Sequence, residues 1–413
     1  MPGRLVEKVE RTLGWRGTVI VLTVAAVIVR LVIIAHSRGG EDLRMYVYFS
    51  RLPLHGINPF SPPLGGMFPA VDSNNPPVEV AVFTGLLAIH DAATMLRLLF
   101  VLADAAVLLV IGLAFQRPRR WRLALMLFYG FNPFILVAFT AFAEDKTLLF
   151  LGIACWVLAL ERDSEIGSWL AAAALTAFKF LGAFAAPALA LRSWRRDGTR
   201  AVIPVAAYAA VFLLSNAPWF PDSLHAFSRR NVRLGIDPPI HASSWLLVSR
   251  AGLYAPAEAK LALVVSIVAV LALYAARRIE IREAVVFSLF AGYVFLPDDA
   301  FNRLILITLP FLLLLTLSLW RWVAVWIVTC FSALAAVVAV RGVPHELRFI
   351  AGALQGAFST HEATIRHVLW MNLFPALVLG LYFYDRSRGR APIGTAPDRP
   401  RARTERAAEP SLS

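Results

Sequence analysis

Two adjacent carboxylates, Glu41 and Asp42, follow the first apolar stretch of the chain, and Arg44, Tyr46 and Tyr48 come directly after them. Gly56-Ile57-Asn58-Pro59-Phe60 and Asn74-Asn75-Pro76-Pro77 extend this polar island. Further along, Glu144-Asp145-Lys146, Lys179, Arg229-Arg230 with Arg233, and Asp298-Asp299 with Asn302 and Arg303 bring more charge to apolar surroundings. Carboxylates mixed with cations suit the transfer of a group away from a phosphate. A carboxylate takes the proton of an acceptor hydroxyl, a general-base contribution of roughly 10²–10⁴. Arginine or lysine holds the departing phosphate, best in the bidentate geometry of a guanidinium. A lipid-linked donor places such a site at the edge of a bilayer, with the headgroup at the interface and the tail in lipid.

The elements that must position these residues are apolar helices. The chain of 413 residues is 59% hydrophobic and only 16% charged, well below the charged share of about 25% usual in soluble domains. Its mean hydropathy is +0.67. Windows at 17–36, 94–115, 123–141, 146–160, 168–191, 201–217, 259–276, 284–297, 303–319, 322–340 and 367–384 read as membrane segments. The first is too long for a signal-peptide core and reads as a retained helix. The net charge of +13 sits in short arginine runs between windows, as the positive-inside rule distributes it, so orientation in a membrane and not nucleic-acid binding accounts for it. Cys155 and Cys330 both fall inside windows, which argues against a disulfide framework or a thiolate metal site.

Charge parity sets the topology. Basic runs at Arg4/Lys8/Arg11/Arg16, Arg117/Arg119/Arg120/Arg122, Arg192/Arg195/Arg196/Arg200 and Arg277/Arg278/Arg282 share one side only if two conditions hold. The short apolar stretch 78–89 must dip in without crossing, as a re-entrant or interfacial helix. The window 168–191 must go up and return, breaking near Lys179-Phe180-Leu181-Gly182. Broken half-helices are tolerated where they are buried in protein or line a cavity. The long loops 37–93, 218–258 and 341–366 then lie on the non-cytoplasmic face, and the unusual polar residues are all expected there.

Plainer roles exist for several of these residues. For Asp42 a function is favoured over an ordinary loop carboxylate, while Asp145 reads equally as an exposed acid between helices and Arg229-Arg230 as contacts to lipid phosphates. Asn58-Pro59-Phe60 reads as a turn that shapes its loop, and Asn132-Pro133-Phe134 as a helix end. Lys179 in an apolar window calls for a function or a paired carboxylate. Lys146 could pair with Glu144. His225, His241, His345, His361 and His367 show no metal-ligand spacing.

Asp42-Leu43-Arg44-Met45-Tyr46, Gly56-Ile57-Asn58-Pro59-Phe60 and Asn75-Pro76-Pro77 resemble, in that order, the first outer loop of GT-C fold glycosyltransferases that use polyprenyl-phosphate sugars. Asn132-Pro133 followed by Asp145 resembles that family's second acidic loop, and Ala174-Leu175-Thr176-Ala177-Phe178-Lys179 its helix-break lysine. Ser228-Arg229-Arg230-Asn231-Val232-Arg233 is similar to the basic loop of the catalytic subunit of glycosylphosphatidylinositol mannosyltransferase I. The resemblance runs to about residue 320. It implies Asp42 as catalytic base in an inverting reaction that displaces polyprenyl phosphate. It implies Asp145 as a residue orienting donor or acceptor, and Lys179, Arg229 and Arg230 as phosphate ligands. Glu41, Arg44, Tyr46 and Arg303, from their places in the polar clusters, are further candidate substrate contacts. Where the mannosyltransferase relatives carry Asp-x-Asp, this chain has Gly40-Glu41-Asp42. That departure makes Asp42 the main acid and leaves open whether a divalent cation takes part; no other cofactor is implied.

The expected fold is an all-α, polytopic membrane bundle of about 11–13 segments with a re-entrant helix in the first outer loop, GT-C-like. Residues 1–386 form the membrane-embedded domain and 387–413 a disordered basic cytoplasmic tail. The expected function is transfer of a hexose, foremost mannose, from a polyprenyl-phosphate donor to a glycan or lipid acceptor on the non-cytoplasmic face of the plasma or inner membrane. Membrane lipids, the donor and the acceptor are the partners, and nucleic acid is not. The rival readings are a transporter or flippase for a lipid-linked saccharide and a non-catalytic subunit of a glycan assembly complex.

Overall fold

The computed structural model describes residues 2–61, 75–179, 182–227, 252–253, 255–295 and a few positions between 380 and 388. The expected windows 303–319 and 322–340, most of 367–384, and the tail beyond Arg388 lie outside the described residues.

Among the described residues the chain is helical throughout, without a strand. In order come α1 (Pro2–His36), α2 (Glu41–Arg51), α3 (Pro77–Ile89), α4 (Ala93–Leu109), α5 (Arg119–Phe131), α6 (Pro133–Ile135), α7 (Lys146–Glu161), α8 (Glu165–Lys179), α9 (Gly182–Asp197), α10 (Val202–Asn216), α11 (Asp222–Phe227), α12 (Pro256–Ala275) and α13 (Ile281–Phe295). Among the described residues, four helical stretches are long and apolar enough to cross a membrane: Gly14–His36, Ala93–Ala114, Gly182–Trp219 and Ala257–Ala275; the third joins α9 and α10 through a turn at Gly198–Ala201. α1 bends at Gly14, whose φ of 68° lies in the left-handed region that a residue without Cβ adopts freely.

Hydrogen bonds at opposite ends of α1 and α4 show that the two run antiparallel. Arg97 donates to the Ile34 and Ser37 carbonyls at 3.1 and 2.7 Å. Trp15 Nε1 donates to the Gly112 carbonyl at 2.9 Å at the far end. Only glycine allows that approach, because a Cβ at position 112 would lie 2.6 Å from the Val19 side chain.

The same far end carries Arg117 paired with Glu161 at 2.6 Å, Arg192 paired with Asp163, and Arg195 donating to the Tyr274 carbonyl at 3.1 Å. Three basic runs, at the start of α5, at the end of α9 and between α12 and the start of α13, therefore gather at one end of the bundle, hereafter the Arg117 end. The acidic island lies at the other, the Asp42 end.

A buried polar staple ties α1, α4 and α5 together between these ends. Pro133 has no N–H, so the Tyr129 carbonyl loses its helical partner, and the end of α5 exposes further orphan carbonyls. Arg30, fully buried, donates to the Gly130 carbonyl at 2.8 Å and the Tyr129 carbonyl at 3.3 Å. Its Nε donates to Asp104 Oδ2 at 2.6 Å, and the Tyr129 hydroxyl donates to the other oxygen of Asp104. A cation at a helix C-terminus also complements the macrodipole. The expectation that the unusual polar residues all gather at one face is corrected here, since Arg30 and Asp104 meet inside the bundle.

The window 168–191 is broken, as charge parity required. α8 and α9 have 15 and 16 residues, about 22 and 24 Å at 1.5 Å per residue, each shorter than a hydrocarbon core of about 30 Å. Trp169 Nε1 donates to Ser193 Oγ at 3.0 Å across the pair. Gly182 makes the return possible, because a Cβ there would meet the Ala172 carbonyl oxygen at 2.0 Å.

The short helix α3 starts on Pro77, where a missing N–H is harmless. It lies against α2, with Phe83 and Leu87 packed on Leu43, Tyr46 and Val47, and Thr84 Oγ1 donates to the Ser50 carbonyl at 2.9 Å.

Candidate active site

α2 brings the first acid into place. Leu43, Tyr46, Val47 and Ser50 are buried, the i, i+3, i+4, i+7 pattern of one helical face. Asp42 is one turn before Tyr46 and shares its side of the helix. Arg44 is two positions on and lies on the exposed side of α2, away from the acids. Glu41 opens the helix; its side chain is outside the described residues.

The second acid arrives on a distorted segment. After α6 the chain widens into a π-helical turn, Leu136–Ala141, a form often found beside functional sites. Ala143 then adopts φ 58°, a left-handed conformation that a residue with a Cβ takes only under constraint. The constraint is packing: Ala143 is 1% exposed and sits in the cluster of Leu43, Tyr46, Val47 and Phe83. The turn delivers Glu144, Asp145 and Lys146 beside α2.

A backbone bond joins the two segments, with Gly40 N–H donating to the Phe142 carbonyl at 2.7 Å. Lys146 Nζ then lies 3.1 Å from Glu144 Oε2, 3.1 Å from Asp145 Oδ1 and 3.8 Å from Asp42 Oδ2. The side chains differ sharply in access. Asp145 is 2% exposed and Asp42 37%, so Asp42 is the acid that an incoming hydroxyl can reach.

Burial, reinforced by Asp42 and Asp145 and opposed by Lys146, pushes the Glu144 carboxyl up to about 7. Burial, with Asp145 next, holds the Tyr46 phenol well above its usual range, so it stays protonated. The Tyr46 ring is fixed 5.6 Å from Phe83 and 6.4 Å from Phe100, centroid to centroid.

Of the residues singled out by sequence, Asp42, Tyr46 and Asp145 come together. Lys179 ends α8, and its side chain is not among those described. Arg229, Arg230 and Arg303 lie outside the described residues. Asn58 has the structural role of a turn residue. Its Oδ1 accepts from Phe60 N–H at 3.0 Å and its Nδ2 donates to Asp222 at 2.7 Å, while Phe60 packs on Trp219 at 5.5 Å. These contacts pin the first loop to α11.

Lys146 was legible only as a partner for Glu144, yet it is the centre of the constellation. Its ammonium lies among the three carboxylates. Among the described residues no group of three or more His, Cys, Asp or Glu is arranged to hold a metal ion. Compared with known proteins, the chain matches no family model and no curated sequence.

Proposed function

We propose that the protein is a multi-pass membrane glycosyltransferase of GT-C type, with the Asp42 end on the non-cytoplasmic face. The observation that carries this reading is one accessible carboxylate, Asp42, set beside a buried, lysine-centred pair of acids at one end of an apolar helical bundle. In the reaction, an Asp42 oxygen accepts the proton of an acceptor hydroxyl. The freed oxygen pair attacks the anomeric carbon of a hexose, foremost mannose, carried on polyprenyl phosphate. The bond from that carbon to the phosphate oxygen breaks, and polyprenyl phosphate leaves with the electron pair. The configuration inverts because attack and departure are on opposite faces.

Lys146 anchors Asp145 and Glu144 and lies near enough to Asp42 to bias its orientation. Lys179 at the α8 turn, with Arg229, Arg230 and Arg303, completes the proposal as the phosphate-holding cations. α3 serves as the re-entrant element behind the site, and the plasma or inner membrane is the proposed location. The arginine runs gathered at the Arg117 end support this orientation through the positive-inside rule.

The test is transfer of label from radiolabelled polyprenyl-phosphate mannose to a panel of glycan and lipid acceptors by the purified protein. Wild type is expected to transfer, and Asp42→Asn to lose roughly 10² or more of the rate. No transfer to any acceptor, or equal transfer by the two proteins, overturns the reading.

A further inference from the structure

At the Arg117 end, remote from Asp42, a groove of about 510 Å³ lies between α8 and α10. Its size falls within the range of about 300–1,000 Å³ found for small-molecule sites. Ile166, Trp169, Leu170, Ile203, Ala207 and Val211 form its walls. Polar atoms inside are already satisfied, since the Tyr208 and Thr176 hydroxyls bond each other at 2.7 Å. The depth of the groove is thus suited to hydrocarbon.

Its rim is different. Glu165, Arg196, Asp197 and Arg200 border the opening. Arg196 is engaged by Asp163 at 3.3 Å and Glu165 at 3.8 Å, and Arg192 is also taken by Asp163. Arg195 is turned away to the Tyr274 carbonyl. Arg200 is exposed and, among the described residues, pairs with no carboxylate within salt-bridge distance. Trp194 on the last turns of α9 is 56% exposed, the kind of amphipathic ring that settles at a membrane–water interface.

We propose that this groove is a binding site for an anionic phospholipid, with one acyl chain between α8 and α10 and the phosphate on Arg200. Asp197 is also exposed at the rim, but Arg162, Arg192, Arg195, Arg196 and Arg200 outnumber Asp163, Glu165 and Asp197 at this end, so apolar walls beneath a net positive end match an anionic lipid in both chemistry and order. A free phosphate leaves the walls unused, and a helix from a second copy buries the charged rim. Basic pockets between membrane helices bind acidic headgroups in this way. The site is separate from the Asp42 constellation: α7, with 16 residues, or about 24 Å, runs from one end to the other. It therefore stands whether or not the protein transfers a sugar.

Native mass spectrometry of the full chain in detergent tests it, with phosphatidylglycerol and phosphatidylcholine of identical chains titrated separately. Wild type is expected to retain one phosphatidylglycerol in roughly five-fold preference, the weight of one basic side chain at an anionic surface. Arg200→Ala is expected to abolish the preference and Arg200→Lys to keep most of it. Ala207→Trp, which fills the groove from an exposed position, is expected to reduce retention of both lipids. Equal retention of the two lipids by wild type, or unchanged retention by Ala207→Trp, overturns the proposal. Displacement of the lipid by millimolar inorganic phosphate, or a wild-type dimer that Ala207→Trp dissociates, overturns it in favour of free phosphate or a second copy.

Discussion

Lys146 Nζ stands 3.1 Å from Asp145 and 3.8 Å from Asp42, bridging two acids that are more than a hundred positions apart in the chain. The first rides on α2 and the second on a strained turn, and the bridge makes one site of them. Replacing Lys146 by Met leaves Glu144 and Asp145 buried without their cation. The expected loss is about 3–5 kcal/mol of stability, as for other broken buried pairs, read as a lowered unfolding temperature in detergent. An unchanged midpoint would show that the bridge contributes nothing.

The Glu144 carboxyl gives a pH dependence with a definite sign. Its folded value of about 7 lies above the ordinary 4.5, so between these limits the folded protein holds a proton that the unfolded chain has released. Stability from this group is fully present below 4.5, falls as pH rises through about 7, and is level beyond. The span amounts to about 3 kcal/mol. Unfolding midpoints measured from pH 4.5 to 8 should decline in wild type and flatten in Glu144→Gln; parallel curves for the two proteins contradict the assignment.

The staple of Arg30, Asp104 and Tyr129 predicts non-additivity. Arg30→Leu alone strands a buried carboxylate and should cost about 3–5 kcal/mol. Arg30→Leu with Asp104→Leu should recover part of this, but not all, because the Tyr129 and Gly130 carbonyls still lose their donor. Thermal unfolding of wild type, Arg30→Leu, Asp104→Leu and the double variant decides it: strictly additive losses mean the pair is not coupled.

Two glycines should respond in opposite directions. Gly182→Ala drives a methyl to within 2.0 Å of the Ala172 carbonyl oxygen, and a loss of about 1–3 kcal/mol or more is expected from such overpacking. Gly85→Ala, on the exposed side of α3, meets nothing within 4 Å and should gain about 0.5–1 kcal/mol from helix propensity. Their unfolding temperatures, compared side by side, check both signs.

Much of this architecture can be read from apolar periodicity and arginine placement. The windows 94–115, 146–160 and 201–217 lie within one residue of the ends of the helical stretches Ala93–Ala114, α7 and α10. The break before Gly182 follows from charge parity alone. Sequence runs out where partners are distant in the chain. Arg30 and Asp104 each violate an apolar window, a signal that a charge inside a span needs a partner, but 74 positions separate them and nothing local pairs them. The groove between α8 and α10 is likewise invisible, because its walls look like any lipid-facing surface until the two helices are set side by side. Asp42 and Asp145 are visible as acids; that one is open and the other sealed depends on the Ala143 turn.

The paired brevity of α8 and α9 has a consequence for how the chain is made. With 15 and 16 residues, neither reaches across a bilayer core of about 30 Å, and α7 with 16 is no longer, so in the proposed topology each of these helices depends on its neighbours for a stable place in lipid. The ribosome must release both, with Gly182 between them, before either can leave the translocation machinery. The two are then expected to partition as one hairpin packed on α7, whose Phe150, Ile153 and Trp156 share one buried cluster with Trp169, Leu175 and Leu189. A pause in synthesis after Asp197 is therefore expected to favour insertion, where one after Lys179 obstructs it.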